Sequence, residues 1–133
     1  MAVKVMDSWA LMALFHDEPA AEAVEELLAT AISKRHRLLI SVVNWGEIYY
    51  SVMRDGSLEL ANRKAEEMAA IPIEMVPADI AQARQAAIYK ATKKMSYADC
   101  FAAALAKMEN AELITGDSEF KEVERDIRIH WLK

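Results

Sequence analysis

Three short runs in this chain, at 3–6, 38–42 and 113–115, carry apolar residues at nearly every position instead of every second one. A strand with one wet face alternates apolar and polar side chains, so such runs require a sheet covered on both faces, built from parallel strands joined by crossover helices. The intervening segments supply those helices. Residues 19–33 place Ala23, Val24, Leu27, Leu28, Ala31 and Ile32 at helical spacing with Glu22, Glu25 and Glu26 on other faces, and Pro19 suits the first turn. Further helices are predicted over 9–15, 44–54, 57–70, 80–94 and 96–109, a short helix or turn over 118–124, and strands over 73–76 and 127–131; Asp55-Gly56 stops the helix before it. The expected fold class is α/β, a three-layer α/β/α sandwich with a short parallel central sheet. Its crossovers are right-handed, and ligands bind beyond the C-terminal ends of its strands.

Hydrophobic residues make up 54% of the 133-residue chain, and Gly and Pro number three each. That balance excludes long flexible linkers and predicts one domain over 1–133. No apolar run approaches the roughly 18 residues of a membrane span, and the N-terminus lacks the pattern of a secretory leader, so the expectation is a cytoplasmic protein. The single cysteine, Cys100, sits among Phe101, Ala102 and Ala103 and reads as a small core residue without redox chemistry. The net charge of −5 weighs against a nucleic-acid partner unless the acids are concentrated at one site. Basic groups cluster at Lys34, Arg35 and Arg37 and again at Lys90, Lys93 and Lys94, where solvated helix ends are the plain alternative.

Four acids fall where such a sheet would place a site. Asp7 closes the first strand, Asp117 follows the strand and turn over 113–116, and Glu47 and Asp99 stand in the first turns of predicted helices. Asp99 has Ala102, Ala103 and Ala106 as its neighbours at i+3, i+4 and i+7, with no Arg or Lys on that face. A carboxylate on such a buried face must be paired, protonated or metal-bound. Each acid also has a local explanation: Asn44-Trp45-Gly46-Glu47 and Ser96-Tyr97-Ala98-Asp99 have the spacing of capping boxes, and Asp7 and Asp117 suit N-caps. Together they are harder to explain locally, because carboxylates meeting at one crevice repel one another unless a divalent cation holds them ionised. Mg²⁺ or Mn²⁺ suits such an all-oxygen set.

These residues carry a family resemblance. Val5-Met6-Asp7-Ser8, Asn44-Trp45-Gly46-Glu47, the SYADCFAAALA segment at 96–106, and Leu113-Ile114-Thr115-Gly116-Asp117 followed by Phe120 occur in order across almost the whole chain. In that order they resemble the PIN domain and, within it, the VapC toxins of toxin–antitoxin pairs. The resemblance implies a metal-dependent ribonuclease with Asp7, Glu47, Asp99 and Asp117 as metal-binding acids and Ser8 and Thr115 as supporting hydroxyls, although either hydroxyl also reads as a local cap. It implies one or two Mg²⁺ or Mn²⁺ ions polarising an RNA phosphate for in-line attack by an activated water, leaving a 5′-phosphate and a 3′-hydroxyl. It also implies a VapB-type antitoxin whose tail covers the site, and a homodimer of the toxin.

RNA approaching an acidic crevice needs basic groups at the rim, for which Arg54, Lys93 and Lys94 are the candidates, while Trp9 and Trp45 lie beside acids and suit either base stacking or packing. His16, His36 and His130 are scattered away from the motifs, so neither a histidine pair for a cyclic-phosphate route nor a zinc site is expected. The apolar density of Trp9, Leu11, Met12, Leu14, Phe15, Tyr49, Tyr50, Val52 and Met53 is mostly core, with part available for a groove that accepts an amphipathic segment. Three other readings compete. One is a PIN-like module that binds RNA or protein without turnover. An aspartyl phosphatase needs a second Asp two residues after the nucleophile, where this chain has Trp9, and a response-regulator receiver needs an acid adjacent to Asp7.

Overall fold

The computed structural model describes residues 2–133. Its elements run β1 (Val3–Met6), α1 (Ser8–Phe15), α2 (Ala21–Lys34), β2 (Arg37–Ser41), α3 (Val42–Asp55), α4 (Leu58–Ala70), β3 (Glu74–Val76), α5 (Ile80–Thr92), α6 (Tyr97–Met108), β4 (Glu112–Thr115), a 3-10 turn (Ser118–Val123) and β5 (Ile129–Trp131). The strands pair in parallel in the order β3-β2-β1-β4-β5, with Val5 opposite Leu39 on one side and Leu113 on the other.

The two faces of the sheet are read directly from the apolar runs. Val5, Leu39 and Leu113 point to one face and pack with Phe101, Leu105 and Tyr89 of α6 and α5 and with Phe120 of the 3-10 turn. Met6, Leu38, Ile40 and Ile114 point to the other and pack with Leu11, Val24, Leu28, Ile48 and Val52 of α1, α2 and α3. This is the expected α/β/α sandwich, and the alternation of neighbours such as Val5 and Met6 between two cores is why the strands lack polar positions. Cys100 is fully buried in the first of these cores.

Three local expectations shift. Helix α3 starts at Val42, not residue 44, because the Ser41 hydroxyl accepts the Val43 N–H at 3.3 Å and caps the helix there. Asn44 is therefore no cap: it is fully buried inside the first turn, where its side-chain amide donates to the Ala98 carbonyl at 3.0 Å. Glu47 consequently sits in the second turn. Pro19 lies outside α2, whose cap position is Ala20 with no side-chain bond. At the other end α5 stops at Thr92, and Lys93 is extended (φ −128°, ψ 156°), so the segment into α6 is not helical.

Leu39 is fully buried, and Ile32 is 64% exposed. Leu39→Ala is expected to lower the unfolding free energy by about 2–5 kcal/mol in a urea titration, whereas Ile32→Ala should change it by no more than about 0.5 kcal/mol. Similar small losses for both would contradict the placement of the sheet core.

Candidate active site

Strand order reverses at β1, which leaves β2 on one side and β4 on the other, and a crevice opens at the C-terminal ends of β1 and β4. Asp7 follows β1 and is fully buried; its Oδ1 accepts the Ala10 N–H at 3.0 Å and its Oδ2 the Thr115 hydroxyl at 2.5 Å. The same Thr115 hydroxyl accepts the Asp117 N–H at 3.0 Å, and Asp117 Oδ1 accepts the Glu119 N–H at 2.9 Å. Both aspartates therefore do cap the elements that follow them. A carboxylate oxygen has two lone-pair sites, so one capping bond does not exhaust it.

Glu47 reaches the same place from α3, where it accepts a hydrogen bond from the Ser8 hydroxyl. Asp99 reaches it from α6 and is 6% exposed. Its own N–H is capped by the Ser96 hydroxyl at 3.2 Å, which is half of the capping box that the spacing suggests. The other half is missing, because the Ser96 N–H donates to Glu119 Oε1 and not to Asp99. The Asp99 side chain is thereby left to face the cleft. Glu119 is the acid that the sequence reading passes over; its signal is the repeat of an acid two residues after Asp117 in a turn that brings it round to the start of α6.

Glu47, Asp99, Asp117 and Glu119 line one cleft of about 370 Å³, together with Trp9 and Ser96. Asp7 lies beneath it. Carboxylate oxygens of Asp99, Asp117 and Glu119 all come within 4.8 Å of one another, among the described residues. No ion pair among the described residues involves any of these five acids. Burial raises the Asp99 carboxyl to about 8, reinforced by a hydrogen bond with Glu119 and by the negative charges of Asp117, Glu119 and Asp7. Burial likewise lifts Asp7 to about 7, against the opposing hydrogen bonds from Thr115 and Ala10. The carboxylates that converge, Asp99, Asp117 and Glu119, form an all-oxygen donor set that fits a hard divalent ion, while Glu47, on the cleft wall, and Asp7, buried beside it, fall outside that group.

Trp9 walls this cleft and packs on Gly116: a Cβ at that position would sit 2.3 Å from the indole Cη2, so only glycine leaves the ring room beside Asp117. Trp45 does not reach the acids. It stacks on Tyr49 with ring centroids 5.2 Å apart and lines a separate apolar groove with Val42, Ala65, Ile73 and Met75. Of the basic candidates, Arg54 is bound to Asp55 at 3.0 Å and lies over the Tyr50 ring, and it does not line the cleft. Lys93 and Lys94 are exposed in the segment that leads to Ser96 at the cleft edge. Leu11 and Val52 are core, whereas Tyr50 and Met53 are exposed. None of the three histidines lines the cleft.

With that geometry in place, comparison with known proteins gives a consistent picture. No curated protein sequence matches the chain. Among solved structures it is similar to a chain of VapBC2 from Rickettsia felis, solved with a DNA fragment of its promoter (TM-score 0.75, 18% identity, covering 98% of this chain and 99% of that one). It is also similar to a chain of DNA-bound VapBC from Salmonella typhimurium (TM-score 0.74, 19% identity, 98% of each chain). A third is VapC20 of Mycobacterium tuberculosis, described as a sarcin–ricin loop cleaving toxin (TM-score 0.72, 16% identity, 89% of this chain and 92% of that one). At such identities the likeness establishes the fold. The family model of the PIN domain matches residues 4–126, nearly the whole chain, and the protein belongs to the PIN domain family.

Proposed function

We propose that this protein is a Mg²⁺- or Mn²⁺-dependent ribonuclease acting as the toxin of a toxin–antitoxin pair, controlled by a VapB-type antitoxin. The observation that carries the reading is the acidic cleft: Asp99 and Asp7 are buried, make no ion pair among the described residues, and stand with Glu47 and Asp117 at the switch point of the sheet. Family membership and a fold shared with chains of VapBC complexes support it.

In this reading Asp7, Glu47, Asp99 and Asp117 hold the ion or ions. When bound, Mg²⁺ or Mn²⁺ supplies a Lewis acid at the scissile phosphate and lowers the pKa of water at neutral pH. The chain's own task is to hold these oxygens in place. Ser8 fixes Glu47, and the Thr115 hydroxyl ties Asp7 to the backbone of Asp117 by donating to one and accepting from the other. Lys93 and Lys94 would take backbone phosphates at the rim, and Arg54 would do so only by leaving Asp55. Trp9, held at the cleft wall, is the residue placed to stack on a base.

An antitoxin has two features to use. An arginine reaching the acids would offset their charge much as a metal does. The apolar groove of about 480 Å³ around Trp45, between α3, α4 and β3, suits the apolar face of an amphipathic segment. A homodimer is part of the same reading, with exposed Ile80 and Ile88 of α5 as candidate contacts.

Partner-free protein is expected to cut total cellular RNA in Mg²⁺ or Mn²⁺ and to stop in chelator, with Asp99→Asn at least about 100-fold slower. Equal cutting by both proteins, or none over several RNA pools, would move the assignment to a PIN-like module that binds without turnover.

The raised carboxyls also set a pH dependence for the metal-free protein. Between the ordinary value of 3.8 and the folded values of about 7 and 8, the native state binds more protons than the unfolded one. Stability from these groups is therefore full below pH 4 and is lost as pH rises through 7 to 8. The metal-free melting temperature should fall over that window by several degrees, the slope should flatten in Asp99→Asn, and added Mn²⁺ should restore stability at pH 8. An unchanged slope in Asp99→Asn would contradict the burial assigned to that carboxyl.

A further inference from the structure

Glu119 and Glu122 stand three residues apart in the 3-10 turn, where three residues complete one turn and side chains at i and i+3 lie on the same side. Both reach across to the segment that enters α6. Glu122 Oε1 accepts the Lys94 N–H at 3.0 Å, and Glu119 Oε1 accepts the Ser96 N–H. The segment between the two helices is not helical: Lys93 and Ser96 have extended backbone (ψ 156° and 155°), and the chain bends at Lys93 and Lys94. The contact is thus a two-rung clamp between two carboxylates and two backbone donors. Its upper rung closes on the cap of the helix that carries Asp99, three residues further on.

We infer that Glu119 is a positioning residue for the metal site: as an acceptor for the Ser96 N–H it fixes the start of α6 and keeps the Asp99 side chain free for the cleft. In an ordinary capping box the residue at Asp99's position would turn back to that N–H, aiming an oxygen away from the cleft. Here an acid from another element takes the bond instead. The helix start then has its donors satisfied, and the third helical residue keeps its carboxylate. The inference rests on the metal-site reading of the cleft and adds that, although the Glu119 carboxylate also stands within 4.8 Å of those of Asp99 and Asp117, its part in ion binding is this hydrogen bond and not ligation.

The amide analogue separates the two roles. Glutamine retains an acceptor for Ser96 and offers a donor to Asp99, and alanine retains neither. Mn²⁺ affinity would be measured by calorimetry on the partner-free chain, and protection of the Ser96 amide by hydrogen exchange, without RNA in either case. Glu119→Gln is expected to keep Ser96 protected and Mn²⁺ affinity within about threefold of wild type, with Glu119→Ala losing that protection and about 10-fold or more in affinity. Equal losses in both variants, or no loss in either, would overturn the inference. If the alanine variant does not fold, the glutamine variant decides: wild-type affinity upholds the positioning role, and a tenfold loss identifies a ligand charge instead. Asp99→Asn measured in parallel keeps the two readings apart, since unchanged Mn²⁺ binding there would mean that the metal site itself has been misassigned.

Discussion

Two buried carboxyl groups, Asp7 and Asp99, make no ion pair among the described residues, and the arrangement around them answers to that. Asp7 and Asp99 are buried against the apolar interior, and burial pushes both out of the range where a carboxyl is ordinarily charged. An uncompensated charge there would cost several kcal/mol, so burial favours the neutral form of both. Pairing with an internal lysine or arginine would have been the simpler structural solution, and no such pair is present among the described residues. Such a site is relieved either by protons or by an added positive charge.

What holds the acids together is a run of hydrogen bonds that crosses four elements. From Asp7 after β1 it passes through Thr115 of β4 to Asp117, through the Asp117 carboxylate to Glu119 in the 3-10 turn, and from Glu119 to Ser96 at the start of α6. Two of the links, Asp117 N–H to Thr115 and Glu119 N–H to Asp117, are also local turn and cap bonds, whereas Thr115 to Asp7 and Ser96 to Glu119 are tertiary bonds that tie those local units together. Beneath them the sheet supplies rigidity, because β1 and β4 are adjacent, parallel and buried towards the ends that carry Asp7 and Asp117. Gly116 lets the chain turn close under Trp9 between the last strand residue and its acid.

Much of this was legible in the residues. Apolar runs without alternation announced a sheet covered on both faces, and Val5 and Met6 do face different cores. The alanine face beyond Asp99 announced its burial, and the position of Asp7 and Asp117 at strand ends follows from the same pattern. Less legible were the helix starts. Ser41 could not be preferred over Asn44 as a cap from spacing alone, because the decision lies in tertiary contact: Asn44 is drawn inside to the Ala98 carbonyl of another helix. Glu119 escaped notice because its partner, the Ser96 N–H, is remote in sequence and local patterning cannot see such a bond. Trp45 lies one residue after Asn44 and two before Glu47, yet helical geometry turns it to a different groove, so adjacency in sequence to an acid was no guide to its surroundings.

Whether the acids form a metal centre can be seen without any assay of activity. Crystals of the partner-free protein soaked in Mn²⁺ at pH 8 and measured for anomalous scattering should show a peak among the carboxylates of Asp7, Glu47, Asp99 and Asp117, with ligand oxygens at the roughly 2.1 Å typical of small hard divalent ions. A cleft without a peak, with manganese only on exposed surface acids, would mean that these buried carboxyls are kept neutral for another purpose and that the cleft is not a metal centre.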